Sequence, residues 1–385
     1  MSFKITIPKN VLMAAVEFTA AAVDNKATLP VLSHLNICFL EDGSLSIIGS
    51  GGHRELEYRI KGDSVTIKDG EKENIRFTVP AKKLKDLLKS VPADCDATLA
   101  AKSDSEMKYT LTFSGIKSKF TMNGLSPADY PSYEVEKDTI AKFELDKNEL
   151  LRCLSGVSHA MANQDVRYYL NGLNVKFLNQ SMVLESTDGH RLAINSMLLP
   201  ESTLVSEFAN LNAIVPRDAI IAIPTMLKSA DTSLNISITQ NLFIIHATSK
   251  ESIRVIKAKL IDGRFPDTNR VRPKSFTQSV TINRAELIES IRRVSILSNE
   301  KFRGIRFSFK GNELVFSCNN PESEEAVETI EIAHCDDLEI GVNVDYMLSA
   351  LEAYDVAEIT LHLNDANSSM LINTAESPEQ VNIVM

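Results

Sequence analysis

Three stretches of this chain spell one pattern. They are Phe3-Lys-Ile-Thr-Ile-Pro-Lys-Asn-Val-Leu-Met-Ala-Ala-Val, Phe143-Glu-Leu-Asp-Lys-Asn-Glu-Leu-Leu-Arg-Cys-Leu and Val280-Thr-Ile-Asn-Arg-Ala-Glu-Leu-Ile-Glu-Ser-Ile. Each reads as a short strand, a polar break and a helix with apolar periodicity. The period is about 140 residues, which is the size of a domain and far longer than a solenoid repeat. The chain is therefore read as three copies of one domain. No catalytic motif recurs among the copies, and closing a ring is one task that such a repeat suits.

A second strand–turn–helix unit recurs within each copy: Phe77-Thr-Val-Pro-Ala-Lys-Lys-Leu, Ala213-Ile-Val-Pro-Arg-Asp-Ala-Ile and Ile340-Gly-Val-Asn-Val-Asp-Tyr-Met. Pro80 and Pro216 are expected at the helix starts, and Pro224 inside the second of these helices should kink it. Alternating stretches such as Tyr109-Thr-Leu-Thr-Phe, Leu173-Asn-Val-Lys-Phe and Ile305-Arg-Phe-Ser-Phe have the period of strands. Asp42-Gly43 and Gly311-Asn312 read as hairpin turns. The expected fold class is α+β, with two helices packed on antiparallel sheets in each copy. Polar linkers near 135–141 and 271–277 set expected domains at 1–138, 139–276 and 277–385.

Domain size decides the expected assembly. A domain of about 128 residues is a sphere roughly 36 Å across. Three in a closed triangle leave a hole of only about 6 Å, whereas six in a hexagon leave about 36 Å. Duplex DNA with its grooves needs about 20 Å. A head-to-tail dimer with two equivalent joints could pass DNA, and a closed monomer could not.

The 385 residues carry a net charge of −10, which argues against a wholly basic protein but leaves a local basic surface possible. The five cysteines are scattered and never form a C-x-x-C pair, so reduced structural thiols are expected. No apolar run approaches the length of about 18 residues that a membrane span needs, and the first residues lack the apolar stretch of a signal peptide. A cytoplasmic protein with no membrane association is expected. No P-loop, nucleophile elbow, G-x-G-x-x-G or metal-ligand spacing is present, so no enzyme activity, cofactor or metal is expected. Gly49-Ser-Gly-Gly is glycine-rich, yet no P-loop Lys-Ser/Thr follows it.

The run Met161-Ala-Asn-Gln-Asp-Val-Arg-Tyr-Tyr-Leu-Asn-Gly172 closely resembles the bacterial DNA polymerase III beta subunits, the sliding clamps. So do Thr187-Asp-Gly-His-Arg-Leu192, Asp262-Gly-Arg-Phe-Pro-Asp267, Ile296-Leu-Ser-Asn-Glu-Lys-Phe-Arg-Gly304, Asn320-Pro-Glu and Ile340-Gly-Val-Asn-Val-Asp-Tyr346. The match runs through nearly the whole chain and is loosest in the first copy. The resemblance implies a six-domain ring, formed as a homodimer of three DNA-clamp domains per chain, that encircles duplex DNA without reading its sequence. It further implies a non-catalytic subunit that tethers the DNA polymerase III alpha subunit, other polymerases and repair enzymes carrying clamp-binding motifs. A clamp-loader complex would open the ring.

A sliding ring needs loose phosphate contacts. Lys82, Lys85 and Lys89 share one side of a helix, with Lys83 adjacent. Arg152, Arg217, Lys228, Arg292 and Arg293 lie on other expected lining helices, although a basic residue on a helix is ordinarily just a solvated face. The helix around Asp345 and Glu352 is acidic. By resemblance, Lys26 and Gln164 sit on loops that reach toward DNA, with Tyr168 and Tyr169 near the rim; core packing is the plainer role for the two tyrosines. The family has Arg-Pro where this chain has Lys26-Ala27, which keeps the charge but not bidentate phosphate binding.

The resemblance also implies a pocket for a short linear peptide with a Gln and a Leu/Phe end. Its matching positions in the middle domain are Leu170, Thr187, Gly189, His190, Arg191, Leu192, Pro266, Arg270 and Val271. In the third domain they are Asn343, Tyr346, Ser369, Ile383 and Met385. Aliphatic walls with a few polar groups suit apolar peptide anchors. Taken alone, Asp188-Gly-His-Arg could suggest catalysis or metal binding, but a lone His beside a Gly turn is ordinarily structural. The subunit joint is implied at Ile296 and Leu297 on one end and Phe120 on the other.

Two departures from the family stand out. Clamps usually finish Val-Met-Pro-Met-Arg plus an apolar residue, and this sequence stops at Ile383-Val384-Met385, so weaker or altered peptide binding is expected. Gly49-Ser-Gly-Gly-His-Arg-Glu replaces a tighter turn and reads as a longer loop. The rival to a true clamp is a clamp-like scaffold that binds partners but not DNA.

Overall fold

The structure, a computed structural model, describes residues 2–24, 28–69, 75–101, 107–133, 139–201, 203, 211–228 and 233–385. It divides into two compact units, Met1–Lys147 with Ala222–Leu260, and Asn148–Ile221 with Ile261–Met385.

Both repeated strand–helix signals are present three times. The strand Phe3–Pro8 runs into helix α1 (Lys9–Ala20), and Arg76–Pro80 runs into α2 (Ala81–Lys89). Ala141–Asp146 leads into α3 (Lys147–Val157), and Asn212–Pro216 into α4 (Arg217–Met226). Gln278–Asn283 leads into α5 (Arg284–Val294), and Glu325–Asn343 into α6 (Val344–Glu352). In the third copy, side chains cap these junctions. Asn283 accepts from Glu286 N at 3.0 Å, and Asn343 accepts from Asp345 N and Tyr346 N. Each satisfies amide groups that a helix start leaves without partners.

Pro80 and Pro216 fall one residue earlier than expected, as the last residues of their strands. Both strands are sheet edges, where a missing amide costs no ladder bond. Pro224 lies inside α4 as expected.

The first unit holds a five-stranded sheet and an eight-stranded one, paired antiparallel throughout. In the larger sheet Ser252–Lys259 pairs with Arg54–Ile60, which joins strands of the middle copy to strands of the first. A buried ion pair crosses this seam, Lys257 Nζ to Glu55 at 2.7 Å. The second unit holds another eight-stranded sheet and the antiparallel pair Gly304–Asn319 with Glu325–Asn343. Arg191–Leu198 pairs with Val381–Val384 in its eight-stranded sheet, joining middle-copy strands to those of the third. Three fully buried phenylalanines, Phe307, Phe309 and Phe316, anchor the core of the third copy. Each such side chain contributes about 1.5–3 kcal/mol by leaving water.

The extended run Gly304–Asn319 folds back on itself at Gly311-Asn312. Phe307 and Phe316 lie edge to face at 4.9 Å, whereas nine residues of straight strand would separate them by about 30 Å. Gly311 has a φ of +59°, and pairing with Glu325–Asn343 shifts register on both sides of it. At Asp42-Gly43 the other expected turn forms, with Asp42 accepting from Ser44 N and Gly43 at φ +78°.

The glycine cluster at Gly49 differs from the expected long loop. Gly49-Ser50-Gly51 ends the buried strand Leu45–Gly51, and only Gly52-His53 turns the chain into Arg54–Ile60. The glycines admit the end of α1. A Cβ at Gly49 would lie 2.0 Å from the Thr19 carbonyl oxygen, and one at Gly51 would lie 2.2 Å from that of Ala22. Arg54 donates to the Ala21 carbonyl at 2.7 Å, which fixes the same helix end. Gly49→Ala is therefore expected to destabilise the protein by about 2–3 kcal/mol, the cost of overpacking against backbone that cannot yield. Urea unfolding checks this, and an unchanged midpoint would contradict the packing described.

Candidate functional site

The second unit carries a cavity of about 200 Å³. Its inner side is Leu170 and Leu192, both buried, with Tyr169 alongside. Thr187, Gly189, Pro266 to Thr268 and Val271 line the rest, with the exposed Met385 and Arg167 at the rim. Val271 remains 41% exposed, so it is reachable from solvent.

One turn shapes much of this rim. Asp188 accepts from His190 N at 2.9 Å, from Arg191 N at 3.1 Å and from Arg191 Nε at 2.9 Å. Gly189 sits at φ +91°, a conformation that side chains resist. Thr187 Oγ1 donates to the Arg191 carbonyl at 2.6 Å and accepts from Gly189 N at 3.1 Å. Asp188-Gly-His-Arg is thus a self-bonded turn. Met385 N donates to the His190 carbonyl at 2.9 Å, which fastens the last strand beside it.

Next to the cavity lies an aromatic and cationic cluster. His190 stacks on Tyr346 at 5.8 Å and 14°, and the Arg191 guanidinium lies 4.9 Å from the same ring. Arg191 also donates to Ser349 Oγ of α6. Burial, and then the charge of Arg191, push the His159 imidazole down to about 4, against the opposing pull of Asp188.

Of the fourteen expected pocket positions, Leu170, Thr187, Gly189, Leu192, Pro266, Val271 and Met385 line the cavity itself. His190, Arg191 and Tyr346 form the adjoining cluster. Asn343 is the cap of α6 and donates to the Phe302 carbonyl at 3.2 Å. Arg270 extends into solvent beside Asp267 at 3.4 Å. Ile383 is buried with Leu192, Leu371 and Val381, behind the cavity wall. Ser369 is half-buried just before the strand Met370–Asn373. Arg167, Asp267 and Thr268 line the cavity and were not among the expected pocket positions. Asp267 and Arg167 lay within quoted sequence blocks, but loop residues carry no periodicity that would mark them.

The basic positions divide sharply. On α2, Lys82, Lys83 and Lys89 are exposed and Lys85 is half-buried, while Ala81, Leu84 and Leu88 face inward. Several others are held by acids or carbonyls. Arg152 pairs with Glu379 at 3.1 Å, Arg292 with Glu352 at 2.6 Å, and Arg293 with Glu328. Arg217 donates to the Met161 carbonyl at 2.8 Å, and burial pushes its pKa down. Lys228 is exposed. Gln164 is exposed at φ +58°. Tyr168 is 57% exposed, whereas Tyr169 packs against the cluster of Leu170 and Phe265; the two rings meet edge to face at 5.8 Å. Lys26 lies outside the described residues.

At the positions of the implied joint, Ile296 is 78% exposed and Leu297 is partly buried on the third-copy core. Phe302, which the sequence reading did not single out, is 70% exposed nearby in sequence. Phe120 is half-buried against Phe113 at 6.2 Å. Among the described residues, no helix is long and apolar enough to cross a membrane.

Comparison with known proteins accounts for the whole chain. Family models described as the N-terminal, central and C-terminal domains of the DNA polymerase III beta subunit match residues 3–134, 144–267 and 269–385 in that order. The beta sliding clamp of Pseudomonas putida is 35% identical over 381 residues, covering 99% of this chain and 98% of that protein. The beta sliding clamp of Escherichia coli K12 is 32% identical over 383 residues, covering 99% of each. A crystal structure of the DNA polymerase sliding clamp from Pseudomonas aeruginosa superposes with a TM-score of 0.87 at 33% identity, over 100% of this chain and 99% of that one. Three clamp domains in order, a shared fold and full-length identity above 30% lead to one assignment: the chain belongs to the DNA polymerase III beta subunit family, the beta sliding clamps.

Proposed function

We propose that two copies of this chain close head to tail into a six-domain ring around duplex DNA, in the cytoplasm, and tether the replicative polymerase there. The three clamp domains are taken as 1–138, 139–276 and 277–385. The clamp is not an enzyme; it is a processivity factor, and its contribution is topological. A closed ring need not grip phosphate tightly, which accords with basic side chains already engaged by acids at Arg152, Arg292 and Arg293. The lysines of α2 supply loose, sequence-independent contact, with Lys26, Gln164 and Tyr168 as further DNA-facing positions; Tyr169 serves the peptide cavity, and Arg152 and Arg217 are held by Glu379 and the Met161 carbonyl. The polymerase alpha subunit, the clamp loader and repair enzymes would seat apolar peptide anchors in the cavity of the second unit.

The observation that carries this reading is the cavity itself. It is apolar at Leu170, Leu192, Pro266 and Val271, open at its rim, and set on a chain that matches the clamps from end to end. A peptide's Leu or Phe side chain fits such a recess, and the Arg167 guanidinium at the rim can meet its polar backbone.

Neutralising α2 separates a clamp from a scaffold that never meets DNA. Lys82→Gln, Lys85→Gln and Lys89→Gln together are expected to weaken binding to a primed duplex. They should also flatten the log–log salt dependence by up to about 3, because each phosphate contact contributes about 0.9 to the slope. Fluorescence anisotropy across a salt series measures both. An unaltered slope would remove α2 from the DNA surface.

A further inference from the structure

We propose that Glu185 is a positioning residue for the peptide cavity, acting through Thr268; this rests on the pocket reading above. The wall formed by Pro266, Asp267, Thr268 and Val271 is loop and short turn, with no sheet ladder of its own. Phe265 fixes one end of it by burial against Leu170 and Ile214. In its middle, Thr268 points away from solvent and donates Oγ1 to Glu185 Oε1 at 2.7 Å.

Glu185 lies in the strand Ser181–Thr187 and its side chain is only 3% exposed. Its carboxylate is filled by donors. Oε1 also accepts from Lys176 Nζ, and Oε2 accepts from Asn174 Nδ2 at 3.0 Å. Lys176 and Asn174 stand on the neighbouring strand Gly172–Leu178. The same strand that holds Glu185 ends at Thr187, which also lines the cavity. One buried carboxylate therefore ties the loop wall to the strand that carries Thr187. A buried charge tolerates only the geometry that satisfies it, so the loop is held in one position before any peptide arrives. Preorganisation of this kind raises affinity without adding a contact to the ligand.

The test compares Thr268→Val, which keeps the shape and removes the donor, with Thr268→Ser, which keeps the donor. Glu185→Gln serves as an independent variant. The probe is a synthetic peptide with a Gln and a Leu-Phe end, titrated against the full chain, alongside amide exchange across residues 265–271, thermal melting and sedimentation. Thr268→Val is expected to weaken the peptide about tenfold, or about 1.4 kcal/mol, and to speed exchange in the wall. Thr268→Ser should stay within about twofold of the parent, and sedimentation should not change. Thr268→Val and Glu185→Gln combined should lose no more than the larger single effect, as expected for two members of one linkage. Parent-like affinity and exchange in Thr268→Val would overturn the proposal. A fall in melting temperature without any change in affinity or exchange would overturn it too. If the parent itself ignores the peptide, the pocket reading fails instead, and exchange across 265–271 still decides whether Glu185 orders the wall.

Discussion

Replacing Val271 with arginine is expected to lower affinity for a clamp-binding peptide by about 100-fold, roughly 2.7 kcal/mol. Val271 lines the cavity and is 41% exposed, so the longer side chain can be accommodated without disturbing the core. Its position leaves the new cation two choices, and each one blocks the peptide. It can lie in the recess, where it fills a volume of only about 200 Å³. Otherwise it stands at the mouth beside Arg167, where an apolar anchor would have to desolvate it. Peptide titration measures the loss, and sedimentation shows whether the dimer survives. Ordinary affinity in Val271→Arg would mean that the peptide binds elsewhere.

The second large effect concerns the joint. Ile296→Ala with Leu297→Ala is expected to convert the dimer to monomers at micromolar concentration. An aliphatic side chain buried at an interface contributes about 1.5–3 kcal/mol. Losing two, about 3–6 kcal/mol in all, raises the dissociation constant of each joint by roughly 100- to 10,000-fold. Ile296 is 78% exposed in the protomer, so its truncation takes little from folding. Leu297 also packs on the third-copy core, and thermal melting therefore accompanies the sedimentation run. A well-folded double variant that still sediments as a dimer would exclude this surface as the joint.

Much of the architecture was legible in the sequence because it is written locally. The switch from period 2 to a helical period marks every strand–helix junction from Phe3–Pro8 with α1 to Glu325–Asn343 with α6. Gly311-Asn312 announced its own turn, since a positive φ calls for glycine. Gly49-Ser-Gly-Gly misled for the opposite reason. Its glycines answer to the carbonyls of Thr19 and Ala22, which no local pattern reveals.

The site divides along the same line. Thr187 to Leu192 and Pro266 could be placed because the family blocks surround them. The charge state of the helices could not. Arg152 meets an acid 227 residues away, Arg292 one 60 away and Arg293 one 35 away, so three apparent DNA contacts are already paired within the chain. The link from Glu185 to Thr268 spans 83 residues and has the same character. Long-range polar pairs are set by the fold, and the sequence lists only their members.

The most direct test of the central claim is retention on DNA of defined topology. Loaded onto nicked circular DNA, the protein should remain through gel filtration at a salt concentration that abolishes ordinary phosphate binding. Cutting the same circles once should release it, because a ring slides off an end. Loss from intact circles, or equal retention on circles and on linear DNA, would contradict a clamp held by encirclement.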